Sequence, residues 1–90
     1  MAVVRLRGPL KRLAGDRSEH SVDGTTVADL LSSLERAHPA TEGWILDERG
    51  LIRRHINIFV NGENIRFLDG VDTPARDGAT IVVLAAVSGG

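Results

Sequence analysis

The chain has 90 residues, 42% hydrophobic and 26% charged, with no cysteine and a formal net charge of −1. That length holds one domain with a modest core, burying about 60–65% of its unfolded surface, and leaves little room for a deep enclosed active site. The missing thiols exclude disulfides, thiolate metal sites and a cysteine nucleophile, and the balanced charge argues against nucleic-acid binding. Taken in order, Ala2-Val3-Val4-Arg5-Leu6 reads as a first strand. Met1 leads into that strand rather than into a signal peptide, so a cytoplasmic protein is expected. Gly8-Pro9 and Gly15-Asp16 bracket a loop, and Glu19 to Val22 forms a short second strand that ends at Asp23-Gly24.

Thr26-Val27-Ala28-Asp29 fits a capping box, with a hydroxyl three residues ahead of a carboxylate. Val27, Leu30, Leu31 and Leu34 follow at i, i+3, i+4 and i+7, one apolar helical stripe that Pro39 ends near Ala37-His38. A weaker helical turn is expected over Thr41 to Leu46, stopped by Gly50. Ile56, Ile58 and Val60 alternate with Asn57 and Phe59 as a strand, and Asn61-Gly62 is a hairpin turn because both residues tolerate positive φ. Asn64-Ile65-Arg66-Phe67 reads as the return strand, Asp77-Gly78 as another turn, and Thr80 to Ala85 as a last strand apolar enough for the centre of a sheet. The longest apolar run, Ile81 to Val87, is far short of the ~20 residues needed to span a bilayer. One helix amid short strands is an α+β pattern.

The other chemistry-bearing residues are weakly patterned. His20, His38 and His55 are far apart in the chain with no metal-ligand spacing, no serine lies in a G-x-S-x-G elbow, and Asp47-Glu48 sits in loop sequence where solvation is the default. Arg5, Arg7, Lys11, Arg12 and Arg17 against Asp16 leave about +4 near the start and about −5 in the remainder. That basic stretch reads as a solvated loop or as an electrostatic contact for an acidic partner. Arg53-Arg54 reads as solvated, and Trp44 as a cover for the open end of the core.

The last strand runs directly into Ala86-Val87-Ser88-Gly89-Gly90. This is either a frayed end or a functional one, since two residues without Cβ can lie extended in a narrow channel and carry an α-carboxylate to another protein's reactive atoms. If Ile56, Ile58, Val60, Ile81 and Val83 face the helix, then Phe59, Val82 and Leu84 form an apolar patch on the other sheet face, suited to docking. The alternatives are that Phe59 is covered by the Leu46–Leu51 segment or by a second copy.

The element order with its Gly-Gly end, the stretch His55 to Phe67 and the ending Asp77 to Gly90 together resemble the ubiquitin-like, β-grasp sulfur carriers of the MoaD/ThiS superfamily, and the CysO-type carriers in particular. The resemblance implies a single domain over residues 1–90 with a flexible terminal segment, 86–90. It implies a mixed sheet of four to five strands with one main helix across one face. It also implies a carrier rather than an enzyme: Gly90 is adenylated by an E1-like (ThiF/MoeB-type) adenylyltransferase/sulfurtransferase, Gly89 keeps the channel narrow, and Val87 and Ser88 line its entry. The resulting thiocarboxylate would donate sulfur to a PLP-dependent cysteine synthase, with a metalloprotease releasing the product, or to a synthase making a thiosugar or another metabolite. ATP and Mg²⁺ would belong to the activating partner, because the chain has no G-x-x-x-x-G-K-[ST] loop and binds no cofactor of its own. Two other roles use the same terminus: a modifier joined to lysines through Gly90, and a MoaD-type small subunit of molybdopterin synthase. In every version the sulfur or acyl group rides on the backbone of a chain without thiols.

Overall fold

A computed structural model describes residues 1–85. Strands β1 (Ala2–Leu6), β2 (Glu19–Val22), β3 (Ile56–Val60), β4 (Glu63–Asn64) and β5 (Thr80–Ala85) form one sheet, with helices α1 (Pro9–Leu13) and α2 (Val27–Ala37). The sheet order is β2-β1-β5-β3-β4. β1 runs parallel to β5 and the other neighbours are antiparallel, so the sheet is mixed and β5 is its central strand. This is the expected β-grasp arrangement, and the apolar run Thr80–Ala85 occupies the central place its composition suits.

The pleat sorts the side chains. Val4, Leu6, Ile56, Ile58, Ile81 and Val83 are fully buried on one face, against Val27, Leu30, Leu31 and Leu34 of α2. Transfer of each such side chain from water is worth about 1.5–3 kcal/mol, offset in large part by the entropy of ordering the chain. The helix starts as its sequence dictates: Thr26 Oγ1 accepts from the Asp29 N–H at 3.2 Å. The reciprocal half of the box is displaced by one residue, because the Asp29 carboxylate accepts from the Thr25 N–H (3.1 Å) and the Thr25 hydroxyl (2.9 Å). The helix ends at Ala37, with the His38 N–H donating to the Leu34 carbonyl.

Several local expectations are corrected. The loop between Gly8 and Asp16 contains α1, which buries Leu10. The turn expected over Thr41 to Leu46 is instead a 3₁₀ turn at Pro39–Thr41, while Leu46 forms an isolated bridge with Ile52. The return strand stops at Asn64, and Ile65–Phe67 coils into a 3₁₀ turn. The Asn64 side chain drives that change by accepting from the Arg66 N–H at 2.9 Å, a local bond that competes with the ladder. The Asn61-Gly62 turn is as expected, with φ of 49° and 89°.

Candidate functional site

The end of the central strand is the place where chain order and charge meet. Ala85, the last described residue, pairs with Ile56, and Leu6 pairs with Val83 in the parallel ladder. The chain beyond Ala85 therefore starts between the end of β1 and the beginning of β3.

On the sheet face away from α2, Phe59 lies directly opposite Val82, and Leu84 opposite Asn57. All three apolar residues are half-buried. The sequence-derived patch is therefore one contiguous surface on β3 and β5, and the register brings its members together. Its borders are polar. Val82 is flanked on β1 by Arg5, whose Nε lies 3.0 Å from Glu19 Oε2, and Phe59 is flanked on β4 by Asn64. In the Leu46–Leu51 segment, Leu46 is buried and Leu51 is exposed.

The entry to β3 is held by one arginine. Arg66 Nη2 donates to the carbonyls of Ile56 (2.7 Å), Arg53 (3.3 Å) and Arg54 (3.4 Å). Arg53 Nε donates to the Gly43 carbonyl. Arg49 pairs with Asp47 at 3.1 Å. The Asp47 carboxyl is held below its ordinary value, first by the Leu51 N–H and then by contacts from Arg49. Asp47 is thus a loop-closing acceptor rather than a freely solvated carboxylate.

The structure overturns the expected isolation of two histidines. His20 and His38 have ring centroids 4.8 Å apart in an edge contact, and His20 is buried with its Nε2 at 2.8 Å from the Arg17 carbonyl. They remain a pair: among the described residues no group of three or more His, Cys, Asp or Glu could hold a metal. Trp44, expected to cover the core, is 49% exposed, while its neighbour Ile45 is buried. Phe67, at 86% exposed, is the aromatic that strand periodicity assigned wrongly. The 3₁₀ turn points it outward, and the Asn64 cap was the signal for that turn. Gly89, Gly90, Val87 and Ser88 lie outside the described residues.

The end of the central strand thus carries an apolar patch on its outer face and arginine-bonded carbonyls at the entry of β3. The profile of the ThiS family matches residues 4–90. The chain belongs to the ThiS family. It is 32% identical over 83 residues to the sulfur carrier protein CysO of Mycobacterium tuberculosis, covering 90% of this chain and 89% of that one. It is 38% identical over 88 residues to small archaeal modifier protein 1 of Haloferax volcanii, covering 96% and 97%. A chain in the crystal structure of the Amycolatopsis orientalis BexX/CysO complex superposes with a TM-score of 0.92 at 29% identity, covering 100% of both chains. These likenesses place this ThiS-family chain among the ubiquitin-like β-grasp carriers of the MoaD/ThiS superfamily, CysO-like in sequence and fold. Among its described residues no helix is long and apolar enough to cross a membrane.

Proposed function

We propose that this chain is a sulfur carrier whose reacting group is the α-carboxylate of Gly90. A carboxylate oxygen of Gly90 attacks the α-phosphorus of ATP on an E1-like partner of the ThiF/MoeB type, and pyrophosphate leaves. A sulfur nucleophile then attacks the acyl carbon, AMP leaves with the original oxygen, and a thiocarboxylate remains. Adenylation is needed because a free carboxylate is a poor electrophile. Mg²⁺ and ATP are the partner's, and the carrier contributes a substrate rather than a catalytic group.

The observation that carries this reading is the extent of the family match, which runs through Gly89 and Gly90. Two features support it. The terminal segment starts at the end of the central strand, where a partner can receive it, and the Phe59, Val82, Leu84 patch lies on the same two strands. Val87 and Ser88 line the entry to the partner's channel. The sulfur goes to cysteine through a PLP-dependent synthase, with a metalloprotease as the releasing enzyme, in keeping with the CysO-named relative.

The test is pyrophosphate exchange with the E1-like enzyme of the source organism. Wild-type chain supports exchange, and a chain lacking Gly89 and Gly90 does not. Equal activity of the truncated chain contradicts the proposal. A second reading, conjugation to lysines through Gly90, is favoured by the likeness to the Haloferax modifier protein. Gly90 found in isopeptide linkage in cell extracts supports it, and both readings share the adenylation step.

A further inference from the structure

The cleft between β2 and the end of α2 has no part in the chemistry at Gly90, and its walls carry two imidazoles. Strand β2 lies at the edge of the sheet, beside β1. His20 stands in register with the buried Val4, so it points to the α2 side of the sheet, and it is 7% exposed. His38, half-buried, is the C-cap residue of α2. The two ring centroids are 4.8 Å apart. With Arg17, Glu19, Ser21 and Ala37 the rings line a cleft of about 400 Å³.

One hydrogen bond fixes what His20 offers to that cleft. Its Nε2 lies 2.8 Å from the Arg17 carbonyl. A carbonyl only accepts, so Nε2 carries the proton, and in the neutral ring Nδ1 keeps a lone pair. Nδ1 makes no hydrogen bond among the described residues. No buried side-chain nitrogen among them lacks a partner, so Nδ1 meets the open cleft rather than the core. His38 uses its backbone alone: the N–H donates to Leu34, and the carbonyl accepts from Thr41. Turning its ring breaks no hydrogen bond.

A histidine that donates one ring N–H to a backbone carbonyl and presents its other nitrogen beside a second imidazole is held as metal-ligating histidines are. An ion about 2.0–2.1 Å from one nitrogen of each ring, at an angle of about 90–110°, sets the centroids roughly 4.5–5.2 Å apart. The observed 4.8 Å falls within that span. The 11-residue helix α2 ends here, and the negative end of its dipole favours a cation. On the cleft wall Arg17 opposes a cation and Glu19, itself paired with Arg5, favours one, so the imidazoles decide the preference. Imidazole suits late first-row ions, whereas Mg²⁺ and Ca²⁺ take oxygen donors.

We propose that His20 Nδ1 and the His38 imidazole form a two-histidine site for a divalent late transition-metal ion of the zinc class, with water in the remaining positions. No third His, Asp or Glu joins them among the described residues, so the site is open and its affinity modest. The ion ties the edge strand β2 to the end of α2 and stabilises the folded chain by mass action.

The experiment is titration of the full chain with zinc chloride at about pH 7.5, where ordinary imidazole is neutral. Binding heat, thermal melts and imidazole nitrogen NMR are read for wild type, His38→Gln and His55→Gln. Wild type binds one ion per chain, and its Tm rises by about 4 °C or more at saturating zinc. The His20 Nδ1 resonance moves while the Nε2–H is retained, and Mg²⁺ produces neither effect. His38→Gln binds zinc at least about tenfold more weakly and melts like wild type in its absence. His55→Gln, exposed and outside the cleft, binds like wild type. Wild type with no binding heat and no rise in Tm overturns the site, as does a His38→Gln chain that binds zinc like wild type. A His20 Nδ1 resonance that stays in place at saturating zinc also overturns it.

Discussion

Ala85 pairs with Ile56 across the antiparallel β3–β5 ladder. This single register places the start of the terminal segment beside the arginine-bonded entry of β3, and it aligns Phe59 with Val82 on the outer face. A two-residue slip would separate the patch from the strand end, so the stability of the central ladder is also a condition for function.

The ladder is held from below. Ile58 and Val83 are directly opposed and both have 0% exposure. Ile58→Ala is expected to cost about 2–5 kcal/mol, a large fraction of a total near 5–15 kcal/mol. Urea unfolding should show a lower midpoint for this variant, with Ile58→Val losing about 0.5–1.5 kcal/mol.

The start of α2 makes a separate prediction. Thr26→Ala removes the acceptor of the Asp29 N–H and should cost about 1 kcal/mol, lowering Tm by about 4–8 °C in a domain of this size. Thr26→Ser should retain most of the stability.

Gly24 is fixed by close approach rather than by its backbone angle. A Cβ there would lie 2.6 Å from Asp29 Cβ and 3.0 Å from the Leu30 nitrogen, both parts of the helix that cannot easily move aside. Gly24→Ala should destabilise by about 1–3 kcal/mol, whereas Gly43→Ala, with open space around it but φ of +84°, should lose less. Parallel thermal melts compare the two.

Acid stability follows from the carboxylates. Asp29 is held below its ordinary value by the Thr25 N–H first and then by the Thr25 hydroxyl, and Asp77 by the Met1 amino group. A carboxyl depressed in the folded state stabilises above its unfolded value, and that contribution is lost as pH falls through the folded one. Glu35 has the opposite sign: burial raises it, with Glu42 adding repulsion, so its penalty appears as pH rises through its folded value. Asp29→Asn should therefore be less stable than wild type at pH 7, with the gap closing below about pH 4. Equal gaps at both pH values would contradict this.

The apolar patch gives a binding prediction. Leu84→Ser changes a half-buried outer side chain opposite Asn57. It should leave the fold intact and raise the KM for activation by a factor of about 5–30, the equivalent of about 1–2 kcal/mol of docking energy.

Period and turn chemistry made most of the fold legible. β1, β2, β3 and β5 have the bounds that alternation and turn residues set, and α2 follows its Thr26 cap and apolar stripe to Ala37. What was not legible was short or nonlocal. α1 has five residues and buries Leu10 alone among them, too little for any periodicity to register. Asn64 could extend a strand or cap a turn, and only the Arg66 N–H bond decides between them. His20 and His38 meet through tertiary packing that spacing along the chain does not encode. Gly90 was singled out from the sequence alone, and the family match covers it.

Intact mass of the chain is the most direct measurement of the proposed chemistry. After incubation with the active E1-like enzyme, ATP, Mg²⁺ and a sulfide source, the mass should rise by the difference between one sulfur and one oxygen. Fragmentation should place that change on Gly90. An unchanged mass, with the same enzyme shown to form the acyl-adenylate, would contradict the sulfur-carrier function.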